Sequence, residues 1–293
     1  MSKYISMING KWSQSISVLD RGLSYGDGLF ETMSWCLLEN KKVLGVEFWD
    51  RHLRRLRDSC SVTKIKFPSK DLLTNYKKKI LKRSYDAGMR EGVLKIIITR
   101  GVGGRGYKFE KDITPTVIFL TFPNNQIDTK FYKSGVKLRF CNSSIFSNPQ
   151  LAGLKHLNRM DSVLARSEWD GKDFFDGVMV DDSNNIIDGT MTNIFFSKNN
   201  ILYTPLIKKS GIKGVMRQVV IEKSKLFFKS IREVRIKKDL FKTFDEMFVT
   251  NSIIKILPVK NLQGKNYTIS NSTKQLIDFF SYQKENFKNN ELI

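Results

Sequence analysis

The chain is poor in cysteine and histidine and has no long apolar run, and each of these absences argues against a class of protein. Its three cysteines, Cys36, Cys60 and Cys141, are widely spaced among 293 residues, and no pair has Cys-x-x-Cys spacing. Structural disulfides and a metal site are therefore not expected. No apolar run approaches the ~20 residues that a bilayer-spanning helix needs. The first residues also lack the apolar stretch of a secretory signal. We expect a cytoplasmic protein without a membrane partner.

Acidic residues are scarce relative to basic ones. The 29 Asp and Glu against 50 Lys and Arg give a net charge of +21. Such an excess can bind nucleic acid by releasing counterions from phosphates. The lysines are spread along the chain, however, and there is no zinc-finger spacing, aromatic RNP-like strand or basic heptad region. We interpret the charge as a solvated lysine-rich surface that also attracts an anionic small substrate. A basic nucleic-acid-binding protein without a cofactor remains the alternative from another class.

The apolar pattern alternates between strand-like and helix-like segments, which predicts a mixed α/β (α+β) fold. Asn9-Gly10 predicts a hairpin turn. β-Branched and apolar runs predict strands that include 30–38, 93–99, 116–122, 136–142 and 246–250. Helical periodicity predicts helices over 48–59, 69–89, 161–169, 215–228 and 273–284.

The stretch that begins at Pro123, Pro-Asn-Asn-Gln-Ile-Asp-Thr, has the composition of a linker. It predicts a smaller N-terminal α/β domain over 1–122, an interdomain linker over 123–130 and a larger C-terminal α/β domain over 131–293.

Lys155 is the candidate nucleophile. It lies in Leu151–Met160, which reads Leu-Ala-Gly-Leu-Lys-His-Leu-Asn-Arg-Met. Apolar neighbours would lower its pKa by burial and keep its amine neutral, as imine formation requires. From the pattern alone, a lysine of this kind also fits a side chain whose stem lies on apolar surface while its ammonium reaches water.

Three segments together resemble one enzyme family: Tyr-Gly-Asp-Gly-Leu-Phe-Glu-Thr (25–32), Arg-Gly-Val-Gly-Gly-Arg-Gly-Tyr (100–107) and Leu151–Met160. They resemble the fold-type IV enzymes that depend on pyridoxal 5'-phosphate, and among these most closely the 4-amino-4-deoxychorismate lyases. The resemblance implies a D-amino acid aminotransferase-like fold of two domains with the cofactor at their junction, and a homodimer. The implied reaction converts 4-amino-4-deoxychorismate to 4-aminobenzoate and pyruvate in folate biosynthesis. An aminotransferase of the same family, acting on branched-chain or D-amino acids, is the alternative.

The resemblance also implies roles for individual residues. Lys155 would bind the cofactor as an imine and act as the base. Arg55, in His-Leu-Arg-Arg-Leu (52–56), would pair with the cofactor phosphate, although the same motif also fits an exposed basic helix face. The amides of Val215 and Met216 would bind that phosphate at a helix N-terminus, and Ser252 would donate to it.

Two further roles complete the predicted site. Arg105, in Gly-Gly-Arg-Gly-Tyr (103–107), would bind a substrate carboxylate, although the segment also fits a surface hairpin. The family has a glutamate for the ring nitrogen five residues before an Asn-Leu/Ile-Phe motif. Asp188 stands at that position before Asn193-Ile-Phe, where it would also fit the start of an Asp-Gly turn. We interpret Asp27 and Glu31 as structural.

Overall fold

A computed structural model describes residues 4–38, 43–124 and 127–281. Its contacts divide the chain into two units. The first comprises residues up to 126 together with Lys155–Asn158, and the second comprises Ile127–Leu154 and the described residues from Arg159 onward. Across the described ranges, no helix has both the length and the apolar character needed to cross a membrane. The predicted mixed α/β fold class is confirmed.

The first unit contains a six-stranded antiparallel sheet with the strand order β2-β1-β6-β5-β3-β4. Its strands are β1 (Ile5–Ile8), β2 (Lys11–Trp12), β3 (Gly28–Leu38), β4 (Val43–Val46), β5 (Glu91–Thr99) and β6 (Thr116–Phe122). Its helices are α1 (Arg21–Tyr25), α2 (Trp49–Thr63) and α3 (Lys70–Asp86). Alternate apolar side chains of β5 pack with those of α2 and α3 in one core, which gives both helices a buried face. Asn9 and Gly10 have φ values of 48° and 80°, so the predicted hairpin turn between β1 and β2 is confirmed.

The second unit contains a ten-stranded mixed sheet in which nine strands follow the order β12-β11-β10-β14-β15-β7-β8-β9-β13, while β16 pairs with β15. Its strands are β7 (Val136–Phe140), β8 (Asp176–Val180), β9 (Asn185–Gly189), β10 (Asn193–Lys198), β11 (Ile201–Pro205), β12 (Ser230–Val234), β13 (Ile236–Lys237), β14 (Glu246–Asn251), β15 (Lys255–Leu262) and β16 (Lys265–Asn266). Its helices are α4 (Lys130–Ser134), α5 (Met160–Arg166), α6 (Val215–Lys223) and α7 (Asn271–Ser281). Strands β8, β9 and β10 are buried almost throughout, as expected for strands covered on both faces.

Three helices end before the predicted residue, and the first of them, α3, ends at Asp86 instead of at residue 89. The prediction that α5 extends to Trp169 is wrong: the Ser167 hydroxyl donates to the Leu164 carbonyl, and the helix ends at Arg166. The prediction of one helix over 215–228 is also wrong, since α6 ends at Lys223 and continues as a 3-10 helix over Ser224–Leu226. The last three residues of the predicted terminal helix, 282–284, lie outside the described residues.

Candidate active site

Lys155 lies in an extended segment that runs beside β3. The Phe30 N–H donates to the Lys155 carbonyl at 2.9 Å, and the Leu157 N–H donates to the Gly28 carbonyl at 2.9 Å. The half-buried Lys155 side chain places Nζ 4.3 Å from the centroid of the Phe30 ring. The backbone on both sides of the lysine is therefore fixed to the sheet. Its amine lies against an aromatic ring, which limits its contact with water.

Asn158 anchors the end of this segment. Its Nδ2 donates to the Gly26 carbonyl at 3.2 Å. A Cβ on Gly26 would lie 2.5 Å from Asn158 Oδ1, and the φ of Gly26 is +62°. Only glycine combines this backbone conformation with room for the amide.

Lys95 is a second amine at the same ring, and the sequence analysis missed it. Its Nζ lies 5.1 Å from the Phe30 centroid, and burial lowers the pKa of Lys95. The available signal was a lysine inside the β-branched run of β5, where a charged side chain is unusual. Phe30 thus contacts two lysine side chains of the first unit.

Arg55 is held by a buried carboxylate. Helix α2 presents His52 and Arg55 on one face, three residues apart, towards Glu31 of β3. Arg55 Nε donates to Glu31 Oε1 at 2.7 Å, Arg55 Nη2 donates to Glu31 Oε2, and His52 Nδ1 contacts the same Oε2. The Arg55 side chain is 10% exposed, whereas that of Arg57 is 64% exposed. An exposed basic face therefore does not describe Arg55, and the proposed structural role of Glu31 is to orient it.

The neighbouring charges determine the protonation of Glu31 and His52. Burial alone would raise the pKa of Glu31, but the charges and hydrogen bonds of Arg55 and His52 lower it to about 2. Burial lowers the pKa of His52 against the opposing effect of Glu31, and the positive charges of Arg55 and Lys155 lower it further. Lys155 and Arg55 therefore both act electrostatically on His52, and this is how the first unit brings these two predicted residues together.

Arg105 lies on the glycine-rich segment between β5 and β6. Its side chain is exposed, and within the described residues it makes no hydrogen bond or ion pair. Such a guanidinium keeps all its donors for a ligand.

Asp188 in the second unit is a buried carboxylate with two donors. It accepts a 2.7 Å hydrogen bond from Asn193 Nδ2 and another of 2.7 Å from the Ile212 N–H. Burial raises the pKa of Asp188 to about 7, although both hydrogen bonds and the charges of Arg217 and Arg159 act in the opposite direction. Asp188 forms no ion pair with a residue in the described ranges. Asp188 is thus a buried carboxyl group whose ionised form is only partly compensated by its surroundings.

Asn193 connects Asp188 to the start of α6. Its Nδ2 also donates to the Ile212 carbonyl at 2.7 Å, and a Cβ on Gly214 would lie 2.1 Å from its Oδ1. Gly214 is the N-cap of α6 and supplies no side-chain cap to the buried Val215 and Met216. The first amides of a helix have no acceptor within the helix, so they are donors available to an anion. The Asp188–Asn193 spacing of five residues was visible in the sequence, but its hydrogen bond was not.

The turn that carries Ser252 follows the partner strand of Asn193. Thr250 of β14 lies opposite Asn193 of β10, and Asn251 Nδ2 donates to the Met191 carbonyl at 3.2 Å. The Thr250 Oγ1 is buried and lacks a hydrogen-bond partner. Ser252 is therefore two residues from the strand position that pairs with Asn193. The second unit brings together Asp188, the start of α6 and this turn.

The chain is similar over most of its length to proteins of one known family. The family model described as Amino-transferase class IV matches residues 28–262. The chain is 31% identical over 257 residues to an aminodeoxychorismate lyase of Vibrio harveyi, a match that covers 88% of this chain and 91% of the relative. It is 30% identical over 290 residues to a putative branched-chain-amino-acid aminotransferase of Methanocaldococcus jannaschii, a match that covers 96% of this chain and 94% of the relative.

A solved structure shares the fold over nearly the full length. It is that of 4-amino-4-deoxychorismate lyase from Pseudomonas aeruginosa, with a TM-score of 0.86, 30% identity and coverage of 96% of this chain and 99% of that one. The fold-type IV resemblance is therefore confirmed. The chain belongs to the class IV aminotransferase family, the fold-type IV enzymes whose cofactor is pyridoxal 5'-phosphate.

Proposed function

We propose that the protein is a pyridoxal-phosphate-dependent lyase that converts 4-amino-4-deoxychorismate to 4-aminobenzoate and pyruvate. The observation that carries the proposal is the placement of Lys155. Its backbone is fixed to β3, and its Nζ lies over Phe30 near the cationic Lys95 and the Arg55 group. Neighbouring positive charge and limited solvation favour the neutral amine that acts as nucleophile and base.

The residues present fit the cofactor on three separate grounds. Asp188 is a buried carboxylate without an ion pair among the described residues, which suits a protonated ring nitrogen. The start of α6 has no side-chain cap, so the amides of Val215 and Met216 suit a phosphate. The Thr250 Oγ1 near the Ser252 turn is a buried polar atom without a partner. When bound, pyridoxal 5'-phosphate supplies an aldehyde for the amine and a ring that accepts electrons.

Each side chain then has a defined task. Lys155 Nζ removes the proton from the amine-bearing carbon of the substrate. The enolpyruvyl group departs as the six-membered ring of the substrate becomes aromatic. Lys155 can then protonate the departing enol. Arg55 and Ser252 bind the phosphate, and Asp188 keeps the ring nitrogen protonated. Arg105 binds a carboxylate of the substrate.

The lyase is favoured over an aminotransferase by two features of this chain. The Leu-Lys-His-Leu-Asn-Arg and Gly-Gly-Arg-Gly-Tyr segments resemble the lyases, and the matches to the Vibrio harveyi and Pseudomonas aeruginosa lyases support them. The similarity to the Methanocaldococcus jannaschii aminotransferase supports a branched-chain aminotransferase as the second candidate. We further propose a cytoplasmic homodimer that acts in folate biosynthesis. Light scattering of the purified protein tests the dimer.

The deciding experiment supplies 4-amino-4-deoxychorismate without any keto acid. Stoichiometric 4-aminobenzoate and pyruvate are expected, because a lyase needs no amino-group acceptor. A parallel reaction offers branched-chain or D-amino acids with 2-oxoglutarate. Turnover only in that second reaction would establish the aminotransferase instead.

A further inference from the structure

The glycine-rich segment 101–107 is held in two different ways along its length. Its first half is tied by backbone hydrogen bonds: the Arg21 N–H donates to the Gly101 carbonyl at 2.9 Å, and the Gly103 N–H donates to the Leu19 carbonyl at 3.4 Å. Its second half, which carries Arg105, is held by side chains of α1.

Arg21 makes most of these contacts. Its Nη1 donates to the Gly106 carbonyl at 2.9 Å and the Gly104 carbonyl at 3.4 Å, and its Nη2 donates to the Tyr107 carbonyl at 3.3 Å. The acceptors are the residues on either side of Arg105. Arg21 itself is 3% exposed, so an arginine buried within the first unit holds the backbone around an exposed one.

Tyr25 binds the same segment, and we call Arg21 and Tyr25 together the clamp. Its hydroxyl oxygen accepts from the Gly106 N–H at 2.9 Å, and its ring lies 4.7 Å from the Arg21 guanidinium carbon. Gly106 has φ +84°, a conformation that glycine adopts without strain. Both polar groups of Gly106 are thus bound by α1 side chains.

The Arg21 guanidinium is in turn held by the carboxylate of Asp27. Arg21 Nε donates to Asp27 Oδ2 at 3.0 Å, and Arg100 binds both oxygens of Asp27 at 2.7 and 2.9 Å. A Cβ on Gly103 would lie 2.9 Å from Arg21 Cδ, so the loop also packs on the arginine stem. Two arginines around one carboxylate leave little rotational freedom to Arg21.

We propose that Arg21 and Tyr25 are positioning residues, which set the conformation of the Arg105-bearing loop for the substrate carboxylate. The inference deepens the proposed function and rests on it for the identity of the substrate. A loop ordered before binding loses less conformational entropy when the substrate arrives, so the clamp lowers the apparent Michaelis constant. Lysine cannot replace Arg21, because one ammonium cannot donate to three carbonyls with this spread while also binding Asp27.

The test compares Arg21→Lys and Tyr25→Phe with Arg90→Lys. Arg90 is a matched control in the same unit, since it also donates to backbone carbonyls, those of Tyr85 and Met89, and lies 4.2 Å above a tyrosine ring. Tyr25→Phe removes one hydroxyl and keeps the ring, so its folding is not in question. Amide hydrogen exchange over residues 104–108 of the holoenzyme measures loop order without reference to any reaction.

Exchange over 104–108 is expected to rise about tenfold in both clamp variants and to stay unchanged in the control. With 4-amino-4-deoxychorismate, the Michaelis constant should rise about fivefold or more while kcat changes less than about twofold. Combined with Arg105→Ala, the clamp variants should add no further increase, because they act through Arg105.

Unchanged exchange in both clamp variants would overturn the positioning role, whatever the reaction. Raised exchange with an unchanged Michaelis constant, or full additivity with Arg105→Ala, would overturn the link to substrate binding. A wild-type enzyme that forms no 4-aminobenzoate would refute the proposed function, and the exchange result would still decide whether Arg21 and Tyr25 order the loop.

Discussion

Glu31 and Arg55 form a two-pronged ion pair in which Nε and Nη2 of the guanidinium each donate to a different carboxylate oxygen. The pair joins β3, which also holds the Lys155 segment, to α2. The Glu31 side chain is 1% exposed, so the interaction is weakly screened by solvent. The guanidinium is consequently oriented without any ligand.

Glu31→Gln is expected to make the protein less stable at neutral pH by about 3 kcal/mol, because the folded state lowers the pKa of this carboxyl from 4.5 to about 2. A lowered pKa gives stability that is fully present above 4.5 and is lost as the pH falls towards 2. Urea unfolding of both proteins between pH 7 and pH 3 measures the difference. A gap that stays constant over this range would show that the ionised form of Glu31 is not the stabilising one.

Arg55→Ala should weaken cofactor retention by about 2–4 kcal/mol, the loss expected for a charge-assisted pair. It also leaves Glu31 buried without its main partner, so the free energy of unfolding should fall in parallel. Arg54→Ala is the control, since Arg54 is the exposed neighbour on α2.

Arg105→Ala should have the opposite profile to Arg55→Ala: the cofactor is retained and the Michaelis constant for substrate rises. Spectroscopic titration with pyridoxal 5'-phosphate, followed by steady-state kinetics, separates the two effects. Equal loss of cofactor in both variants would show that the roles of Arg55 and Arg105 are wrongly divided.

Much of the fold was predictable because local pattern and tertiary packing agree. The β-branched runs that became β5 and β6 are buried strands, and the Asn9-Gly10 turn has the φ values that its residues favour. Helix ends were less predictable. Helices α3, α5 and α6 all end earlier than the apolar periodicity indicates, at Asp86, Arg166 and Lys223, since apolar spacing does not mark where the hydrogen-bonded turns stop.

Lys155→Ala should abolish turnover while the protein still folds, because the substitution removes both the covalent anchor and the base. Borohydride reduction of the native enzyme should attach the cofactor to the peptide that contains Lys155. Lys95→Ala serves as the comparison, because its amine lies at the same ring and should not carry the label. Label on Lys95 or any other lysine contradicts the assignment.

Asp188→Asn should reduce kcat sharply and cofactor affinity much less. The reason is that the missing charge acts on the electron-rich transition state. Asp176→Asn is a suitable control, because Asp176 is a fully buried carboxylate of the same unit that binds the hydroxyls of Thr190 and Thr192. Asp176→Asn should lower the free energy of unfolding and should have a smaller effect on kcat. Asp188→Glu should keep activity if the site accommodates one methylene, and near-full activity of Asp188→Asn would refute a role at the ring nitrogen.

The same carboxyl predicts a pH dependence of stability in the cofactor-free protein. Burial raises the pKa of Asp188 from 3.8 to about 7, so its contribution to stability is fully present below 3.8 and is lost as the pH rises through 7. Asp188→Asn should remove this slope. Because asparagine does not ionise, the free energy of unfolding of the cofactor-free wild type, measured from pH 5 to pH 8.5, should fall relative to that of Asp188→Asn as the pH rises. Parallel curves would show that Asp188 does not titrate in this range.

The candidate site residues were easier to select from the sequence than the contacts that hold them. Motifs selected Arg105, Arg55 and Asp188 as candidates, but the partners that hold their surroundings come from distant parts of the chain. Arg21 lies more than eighty positions before the carbonyls it binds, and Ile212 lies 24 positions after Asp188. Contacts at such separations follow from the tertiary fold and leave no local pattern in one sequence.

Residues 155–158 belong to the first unit although the chain on either side of them belongs to the second. A division of the chain near residue 126 therefore does not separate the two units. A recombination point near residue 126 would pair the β3 of one parent with the Lys155 segment of another, and the hydrogen bonds of Phe30 and Gly28 would have to survive the exchange. Lys155 and the strand β3 beside it should therefore be inherited together, and chimaeras that fold should exchange both or neither.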